Sequence, residues 1–320
     1  MSTGLIRLVN TAASLTLRDQ NGALVSLIGT TTTGLQEFVN LVASSGFLGR
    51  ATGSGIRADG TCPAPFVLSS MLGLPPMIGT QIDIEGTIIG STVGGAANPI
   101  IKFNTLSRCR FRHHGIIKLS GDSYQAINFD PTDLYPANSL IPWQRKEIYG
   151  SEIRLGNIKI EGGAFHTIVN FACGAAGFNN NPLIEIGEIL GAGYQYGVNI
   201  ATPDTANYAW ACFVQNYLRC GLIDSASVAC FNEGAQPIDA TRNYLGTNLY
   251  DLLGITTGLP TAVGVSISGT MSQARIGSIN NNANPGFVSG ITFIQNSSRN
   301  YVVCRQTPSV NDYGTGNVVV

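Results

Sequence analysis

The stretch Ile82–Gly86 reads IDIEG, and similar units return as IRLG at 153–156, IKIEG at 158–162 and IEIG at 184–187. Side chains along a β-strand point alternately to opposite faces, so each unit places isoleucine or leucine on one face and a charge on the other. Glycine then ends each strand. Repetition of this unit predicts successive coils of chain stacked around one elongated apolar interior.

The composition is that of a β-rich chain with little charge. Charged residues make up 12% of the 320 residues, about half of the roughly 25% usual in globular proteins. Glycine, at 39 residues, takes much of their place. A net charge of −1 argues against nucleic-acid binding, which requires a strongly positive surface. The low charge also predicts that identical subunits cover part of the surface.

Neither a membrane-spanning segment nor a secretory signal is predicted from this sequence. An apolar run of about 18 residues, which a membrane-spanning helix requires, does not occur. Residues 8–11 are too polar for the core of a secretory signal. The seven cysteines form no Cys-x-x-Cys pair, so we interpret them as reduced, buried small hydrophobic residues. We expect synthesis in the cytosol and, after cell lysis, an extracellular place of work.

Residues 1–32 are predicted to form a short N-terminal β unit. Two apolar–polar segments flank Asn21-Gly22, and an Asn-Gly step is a strong signal for a β-hairpin. We expect this unit to attach the protein to a larger particle.

A helix is predicted over 33–46, directly after the N-terminal unit. Thr33 is the expected N-cap, Gln36 the partner of a capping box, and Gly46 the end of the helix. A helix in this place would cap the open end of stacked strands, which otherwise exposes apolar core and strand edges. The apolar face is formed by Leu35, Phe38, Val39 and Val42.

Stacked strands are predicted over 33–306, and 307–320 are expected to add a C-terminal strand that contacts the other subunits of a trimer. Two long loops, 128–150 and 232–260, interrupt the strands. Asparagine clusters at 179–181 and 280–282 are predicted to form amide ladders between coils, or else two unrelated loops.

The helix at 33–46, the segment GIRADG at 55–60 and the Ile-x-Ile-x-Gly strands from residue 82 onward resemble the pectin-lyase-like right-handed parallel β-helix proteins. Within that superfamily the pattern is most similar to the trimeric tailspikes and virion spikes of bacteriophages. The resemblance covers roughly residues 33–306 and concerns architecture rather than a signature motif. It departs from the family pattern at 30–33, where an aspartate-containing step usually precedes the helix.

The resemblance implies an all-β fold: a right-handed parallel β-helix, or solenoid, with an N-terminal capping helix and a short N-terminal β unit. Proteins of this kind bind, and often cleave, bacterial surface polysaccharides, and they assemble as side-by-side homotrimers. The resemblance also implies that other virion proteins hold the N-terminus and that the protein is located in the virion.

The strand at 108–112 is the first candidate ligand-binding segment. Its alternation places Arg108, Arg110 and Arg112 on one outer stripe. Three guanidinium groups in a row could bind carboxylate-bearing sugars through two-pronged hydrogen bonds. Alternatively, they pair with acids on adjacent coils, such as Asp83 and Glu85, or across a subunit boundary.

The first long loop supplies a second set of candidate ligand-binding residues. Tyr135, Trp143 and Tyr149 could form stacking platforms for sugar rings, with Arg145 beside them. Alternatively, the aromatic rings seal the loop onto the coil below it.

Catalytic candidates are sparse. Glycoside cleavage needs two carboxyl groups, about 5–5.5 Å apart for retention or 6.5–9.5 Å apart for inversion. Asp83 with Glu85 could satisfy this requirement, and Glu185 is a further candidate, but solvated charges on strands explain the same pattern. His113 and His114 face opposite sides of a strand, so no metal site is predicted. No cofactor-binding or nucleotide-binding motif occurs either.

Three functions follow from this sequence. The leading hypothesis is a virion-associated spike or fibre, of the tail or head, which binds host cell-surface polysaccharide for adsorption. The second is a polysaccharide depolymerase, a glycosidase or lyase, on the same scaffold. The third is a structural capsid or decoration protein. The absence of a crowded acidic motif favours binding over cleavage.

Overall fold

The computed structural model describes most of the chain, and every structural statement below concerns that part. It comprises residues 5–46, 48–52, 64–91, 98–133, 146–172, 177–180, 182–201, 213–214, 216–234, 248–259, 261–268, 272–281, 290–294, 300–305 and 309–320. These residues contain one α-helix and 33 β-strands.

The N-terminal strands form the hairpin that the Asn-Gly step predicts. They are β1 (Leu5–Asn10), β2 (Leu15–Arg18) and β3 (Leu24–Val25). β1 pairs antiparallel with β2, and β2 pairs antiparallel with β3. The Asp19 carboxylate accepts hydrogen bonds from the backbone N–H groups of Asn21 (2.9 Å) and Ala23 (2.8 Å), and Gly22 adopts a left-handed φ of 85°.

Helix α1 spans Leu35–Ser45, and its end was predicted correctly. Gly46 has a left-handed φ of 69° and donates its N–H to the Val42 carbonyl. The apolar face is buried as expected, and it consists of Leu35, Phe38, Val39 and Val42. Gly49 lies under this face, where a Cβ atom would approach Val42 Cγ2 to 2.2 Å, so only glycine allows the helix to pack this closely.

The predicted capping box at the start of α1 is wrong. Gly34, with φ 76°, occupies the N-cap position and has no side chain to cap the helix, while the Thr32 hydroxyl accepts the Gln36 N–H at 2.9 Å. The Thr33 hydroxyl instead bonds the backbone of Val67, and the Gln36 amide bonds the N–H and C=O of Gly73, both at 2.7 Å. Both side chains therefore attach the helix to neighbouring strands, which a local capping pattern cannot anticipate.

The remaining strands continue to the end of the chain. They are β4 (Leu48–Thr52), β5 (Phe66–Leu68), β6 (Leu72–Leu74), β7 (Met77–Ile78), β8 (Gln81–Glu85), β9 (Ile88–Gly90), β10 (Ile101–Phe103), β11 (Leu106–Ser107), β12 (Arg110–His114), β13 (Ile116–Leu119), β14 (Ser123–Phe129), β15 (Lys146–Tyr149), β16 (Glu152–Leu155), β17 (Asn157–Ile160), β18 (Phe165–Phe171), β19 (Gly177–Asn180), β20 (Leu183–Ile186), β21 (Ile189–Leu190), β22 (Tyr194–Ile200), β23 (Phe213–Val214), β24 (Tyr217–Ala226), β25 (Ala229–Glu233), β26 (Leu249–Thr257), β27 (Val263–Ile267), β28 (Gln273–Ile276), β29 (Ile279–Asn281), β30 (Ile291–Phe293), β31 (Tyr301–Cys304), β32 (Val310–Asp312) and β33 (Val318–Val319).

The strands belong to three sheets, which the chain visits in turn. The first sheet has 19 strands and includes β1, β4, β8, β12, β16, β20, β24, β26, β28, β31 and β33. The second has nine, β6, β10, β14, β18, β22, β25, β27, β30 and β32, and the third has five, β7, β11, β15, β19 and β23. From β5 to β23 the chain passes repeatedly through the first, second and third sheets in that order.

Pairing within all three sheets is parallel apart from the N-terminal hairpin, in the part of the chain described. In the first sheet β8 pairs with β12, β12 with β16, and β16 with β20, each in parallel. β1 also pairs in parallel with β4, so the N-terminal unit continues this sheet. The fold is therefore all-β, with mostly parallel sheets, as predicted.

Inward-facing residues at equivalent positions of successive strands form apolar columns. In the second sheet, the rings of Phe103 and Phe129 stack with centroids 4.5 Å apart, and those of Phe129 and Phe171 with centroids 4.6 Å apart. These distances match the spacing of about 4.8 Å between neighbouring strands. The corresponding column of the first sheet is formed by Ile82, Phe111, Ile153, Ile184, Leu218, Tyr250, Ala274 and Val302.

Glycines stack where the first sheet bends between paired strand segments. A Cβ atom on Gly115 would lie 2.2 Å from the Gly86 carbonyl oxygen, and one on Gly156 would lie 2.1 Å from the Gly115 carbonyl oxygen. A side chain at these positions would collide with backbone of the adjacent strand pair. Glycine is therefore required by close packing at position 115 and at position 156, where it ends the IRLG unit.

Asparagine side chains form a ladder on the second sheet, although not where the sequence predicts one. The carboxamides of Asn128, Asn170, Asn199 and Asn232 are joined in a row by N–H···O bonds of 2.8–2.9 Å. Asn216 and Asn248 also bond to each other, beside the first sheet. The side chains of the predicted clusters at 179–181 and 280–282 lie outside the described residues.

The segments predicted as loops and as C-terminal strand are described only in part. Of the first loop, 134–145 lie outside the described residues; of the second, 235–247 and 260 do. β26 lies within the second predicted loop. Residues 309–320 contribute β32 to the second sheet and β33 to the first.

Candidate functional site

The outer face of the first sheet carries the arginine stripe. Cys109 and Phe111 are buried, and Arg108, Arg110 and Arg112 lie on the outside, as the alternation predicts. Arg108 lies before β12 and has a left-handed φ of 52°. The three arginines are therefore not equivalent, because only the last two continue along the strand.

Glu152 on β16 binds the neighbouring arginines. Its carboxylate accepts hydrogen bonds from Arg110 Nε (3.0 Å) and Arg112 Nη2 (2.8 Å), and Arg154 Nε lies 2.8 Å away. Arg154 also contacts Glu185, at 2.9 Å. The pKa of Glu152 lies below its usual value: partial burial opposes ionisation, but the hydrogen bonds and charge of Arg112, Arg110 and Arg154 outweigh it.

This network supports the alternative that the arginines pair with acids on adjacent strands. The partners differ from those named in the sequence analysis, since Glu152 binds Arg110 and Arg112 while Glu85 binds Arg50. Arginines already engaged with carboxylates are poorly placed to bind an acidic sugar.

The catalytic candidates do not form a pair of free carboxylates. Asp83 and Glu85 lie on β8, where Glu85 is bound to Arg50 and Asp83 accepts a hydrogen bond from Gln81 Nε2 at 2.9 Å. Glu185 lies three strands further along the sheet, about 14 Å away at a spacing of about 4.8 Å. That separation exceeds the range used by glycosidases.

Three of the four ligand-binding candidates of the first loop lie outside the described residues: Tyr135, Trp143 and Arg145. Tyr149 ends β15 in the third sheet, and its carbonyl accepts the Arg108 N–H at 2.8 Å. Arg108 and Tyr149 therefore meet at the corner between the third and first sheets.

An open groove of about 290 Å³ lies on the outer face of the second sheet. The residues that line it come from β14, β18 and β22 and from the residues directly after the last two strands. They are Tyr124, Gln125, His166, Thr167, Asn170, Ala172, Asn199 and Ala201.

An aromatic stripe runs along one side of the groove. The rings of Tyr124 and His166 stack with centroids 4.3 Å apart and an angle of 11° between their planes. Tyr196 continues the stripe, with its ring centroid 5.2 Å from that of His166. Tyr124 is 53% exposed, so much of its ring is available to a ligand.

Backbone register brings these rings together. Ser123 pairs with Phe165 and Gln125 with Thr167, so Tyr124 and His166 occupy matching positions on adjacent parallel strands. The ladder formed by Asn128, Asn170, Asn199 and Asn232 continues along the same sheet, and its second and third members line the groove. The site therefore combines an apolar edge with a row of amides.

Sequence reasoning missed this groove, although a signal was present. Three segments of seven residues, which form β14, β18 and β22, align without gaps: SYQAINF at 123–129, FHTIVNF at 165–171 and YQYGVNI at 194–200. Each has an asparagine at the sixth position, and each has an aromatic residue or histidine within its first three positions. Recognition of this repeat would have placed the rings and amides on neighbouring strands.

The histidines form no metal site. His113 is buried, with Nε2 2.8 Å from the Gly86 carbonyl oxygen, while His166 bonds the Thr167 hydroxyl at 3.1 Å. Across the described ranges, no cluster of three or more histidine, cysteine or acidic side chains could hold a metal ion. No helix there is long and apolar enough to cross a membrane.

No protein-family model, curated protein or solved structure matches this chain.

Proposed function

We propose that this chain is a right-handed parallel β-helix that forms a homotrimeric, virion-associated spike or fibre and binds host cell-surface polysaccharide. The order in which the chain visits its three sheets supports this fold, since each pass from β5 to β23 adds parallel strands to all three sheets. Proteins built in this way offer long outer surfaces for binding.

The open groove on the second sheet is the observation that carries the proposal. It combines a half-exposed tyrosine ring, a stacked histidine and a row of amides. Aromatic faces bind the apolar side of a sugar ring, and amides bind its hydroxyl groups. A polysaccharide can lie in an open groove without its ends having to enter a pocket.

The arrangement of the described carboxylates favours binding of the polysaccharide over its cleavage. Glu85, Glu152 and Glu185 are each bound to arginine, and none of the residues that line the groove is acidic. A glycosidase needs one carboxyl group that can hold a proton and a second one near it.

An apolar patch at the far end of the first sheet supports the homotrimer. Tyr301 and Val303 on β31, Val318 on β33 and the adjacent Val320 are 37–57% exposed. Association of three copies through such a patch would remove apolar surface from water. It would also multiply a weak sugar contact.

Two measurements test the proposed function. Light scattering of the purified chain should give a mass three times the 33.7 kDa of one copy. The protein should also bind intact host cells and lose that binding after periodate oxidation of their surface polysaccharide. A monomer would contradict the assembly, and binding that survives oxidation would contradict the ligand class.

Immunogold labelling tests the location. Antibodies against the chain should label purified particles in electron micrographs, and particles lacking the gene should assemble but fail to adsorb. Loss of the particles themselves would instead favour a structural capsid role.

A further inference from the structure

The groove on the second sheet is uncharged. None of the residues that line it, as far as the chain is described, is Asp, Glu, Lys or Arg. At the Asn128 end of the amide ladder, the next residue in register is Lys102. Its ammonium group is bound to the Asp130 carboxylate at 3.1 Å, so this end of the ladder is neutralised.

His166 keeps the groove neutral near pH 7. Partial burial lowers the pKa of its imidazole below the usual value. The ring nitrogen Nδ1 lies 3.1 Å from the Thr167 hydroxyl, and the ring stacks on Tyr124. A neutral imidazole can exchange hydrogen bonds with a sugar hydroxyl but cannot neutralise a carboxylate.

The amide ladder supplies hydrogen-bonding groups of fixed geometry. Asn170 and Asn199 each donate one N–H to the preceding carboxamide and accept one from the next. Each retains a second N–H that no bond in the ladder uses. Asn170 is buried, whereas Asn199 is partly exposed and can present its N–H to a ligand. Hydroxyl and acetamido oxygens are suitable acceptors for such groups, and spacing along the ladder follows the strands at about 4.8 Å.

We propose that this groove binds an uncharged segment of glycan, built from neutral hexoses or N-acetylhexosamines, and excludes uronic and sialic acid residues. The inference rests on the proposed polysaccharide-binding function and adds the chemical class of the sugar. The carboxylate of an acidic sugar would lose part of its hydration in the groove and would find no cationic side chain there to pair with. A neutral pyranose would lay its apolar face on Tyr124 and its polar groups against the amides.

Ligand-observed NMR with single sugars tests this proposal. The probes are glucose, galactose, mannose, rhamnose and N-acetylglucosamine, set against glucuronate, galacturonate and N-acetylneuraminate at equal millimolar concentrations. At least one neutral probe should give saturation transfer, while the acidic probes give none. Tyr124→Ala should weaken that signal about fivefold to tenfold, whereas Tyr313→Ala, at an exposed ring far along the chain, should leave it unchanged.

The possible outcomes distinguish failure of the neutral-sugar proposal from failure of the proposed polysaccharide-binding function. Binding of acidic probes only, or neutral binding that Tyr124→Ala leaves intact, would overturn the uncharged groove while polysaccharide binding stands. If no probe binds and periodate-sensitive cell binding is also absent, both proposals fail. Folding of each variant is checked by its thermal unfolding curve, which should match that of the parent chain.

Discussion

Two regions of the first sheet have the same backbone arrangement and opposite surfaces. On β12 and β16 the outer positions hold Arg110, Arg112, Glu152 and Arg154, which bind one another. On β31 and β33 the equivalent outer positions are apolar, and they remain exposed. Parallel pairing therefore fixes where a side chain points, while the residue at that point decides whether the outer surface is charged or apolar.

The largest expected effect comes from the backbone stacking that both regions share. Gly156→Ala would place a Cβ atom 2.1 Å from the Gly115 carbonyl oxygen, and Gly277→Ala would place one 2.1 Å from the Leu253 carbonyl oxygen. Because backbone cannot easily move aside, we expect each change to lower the free energy of unfolding by about 4 kcal/mol. Urea denaturation monitored by circular dichroism measures this loss.

Gly73→Ala is the matched control for these two substitutions. A Cβ atom there would meet no atom closer than 3.8 Å, and its backbone conformation suits alanine. We expect Gly73→Ala to be as stable as the parent. Gly156→Ala and Gly277→Ala should unfold at lower urea concentrations. Normal stability of Gly156→Ala would show that the strands are spaced differently.

The second expected effect is a loss of stability at low pH that originates in the charged region. His113, on the inner side of the charged region, is buried, and burial lowers the pKa of its imidazole to about 4. Between pH 6.5 and 4 the unfolded chain takes up a proton that the folded chain excludes. Stability therefore falls as the pH falls through this window, by about 3 kcal/mol in total at about 1.4 kcal/mol per pKa unit.

His113→Gln should remove this component of the acid sensitivity, because glutamine does not titrate and can still donate to the Gly86 carbonyl. Gly73→Ala, which changes no titratable group, is the control and should keep the pH dependence of the parent. Denaturation midpoints measured at pH 7 and pH 4.5 give the comparison. An unchanged pH dependence in His113→Gln would mean that other groups cause the acid loss.

A third effect concerns the apolar patch alone. Val303→Lys places a charge where the proposed trimer buries apolar surface, so we expect association to weaken about a hundredfold. Ile116→Lys on β13 is the matched control, because Ile116 is 39% exposed and Val303 is 37% exposed. Light scattering across a dilution series should show monomer only for Val303→Lys. Equal dissociation of both variants would remove the patch as the subunit contact.

The smallest effect is expected in the charged region. Glu152→Gln removes the common partner of Arg110, Arg112 and Arg154, and a partly exposed ion-pair network of this kind contributes about 1 kcal/mol. The difference from the parent should shrink at high salt, about 0.5 M, where exposed charges are screened. Glu161→Gln, at a more exposed carboxylate bound to two lysines, should change stability less. A larger loss in Glu161→Gln would contradict this ranking.

Much of the fold could be predicted because the strands carry their own periodicity. The alternation in IDIEG correctly places Ile82 and Ile84 inside and Asp83 and Glu85 outside. The hairpin at Asn21-Gly22 and the end of α1 at Gly46 also follow from local backbone chemistry. The capping box failed because the side chains of Thr33 and Gln36 bond strands that lie more than thirty residues away.

The candidate site was harder to predict, since its residues are far apart in sequence. Tyr124 and His166 meet only because β14 and β18 pair in register. Likewise, Glu233 is fully buried in an apolar column, where it accepts hydrogen bonds from Tyr250 and Ser272. The sequence around Glu233 does not predict either of these two partners.

The amino-acid sequence by itself determined the strands, their inner and outer faces and the glycines between them, because a period of two residues and a missing side chain act locally. Only the tertiary structure decided which outer residues become neighbours. Successive strands of one sheet are separated by different lengths of chain. Which residue lies beside Arg110 or Tyr124 on the next strand is therefore set by the pairing of the backbones and by nothing in either segment alone.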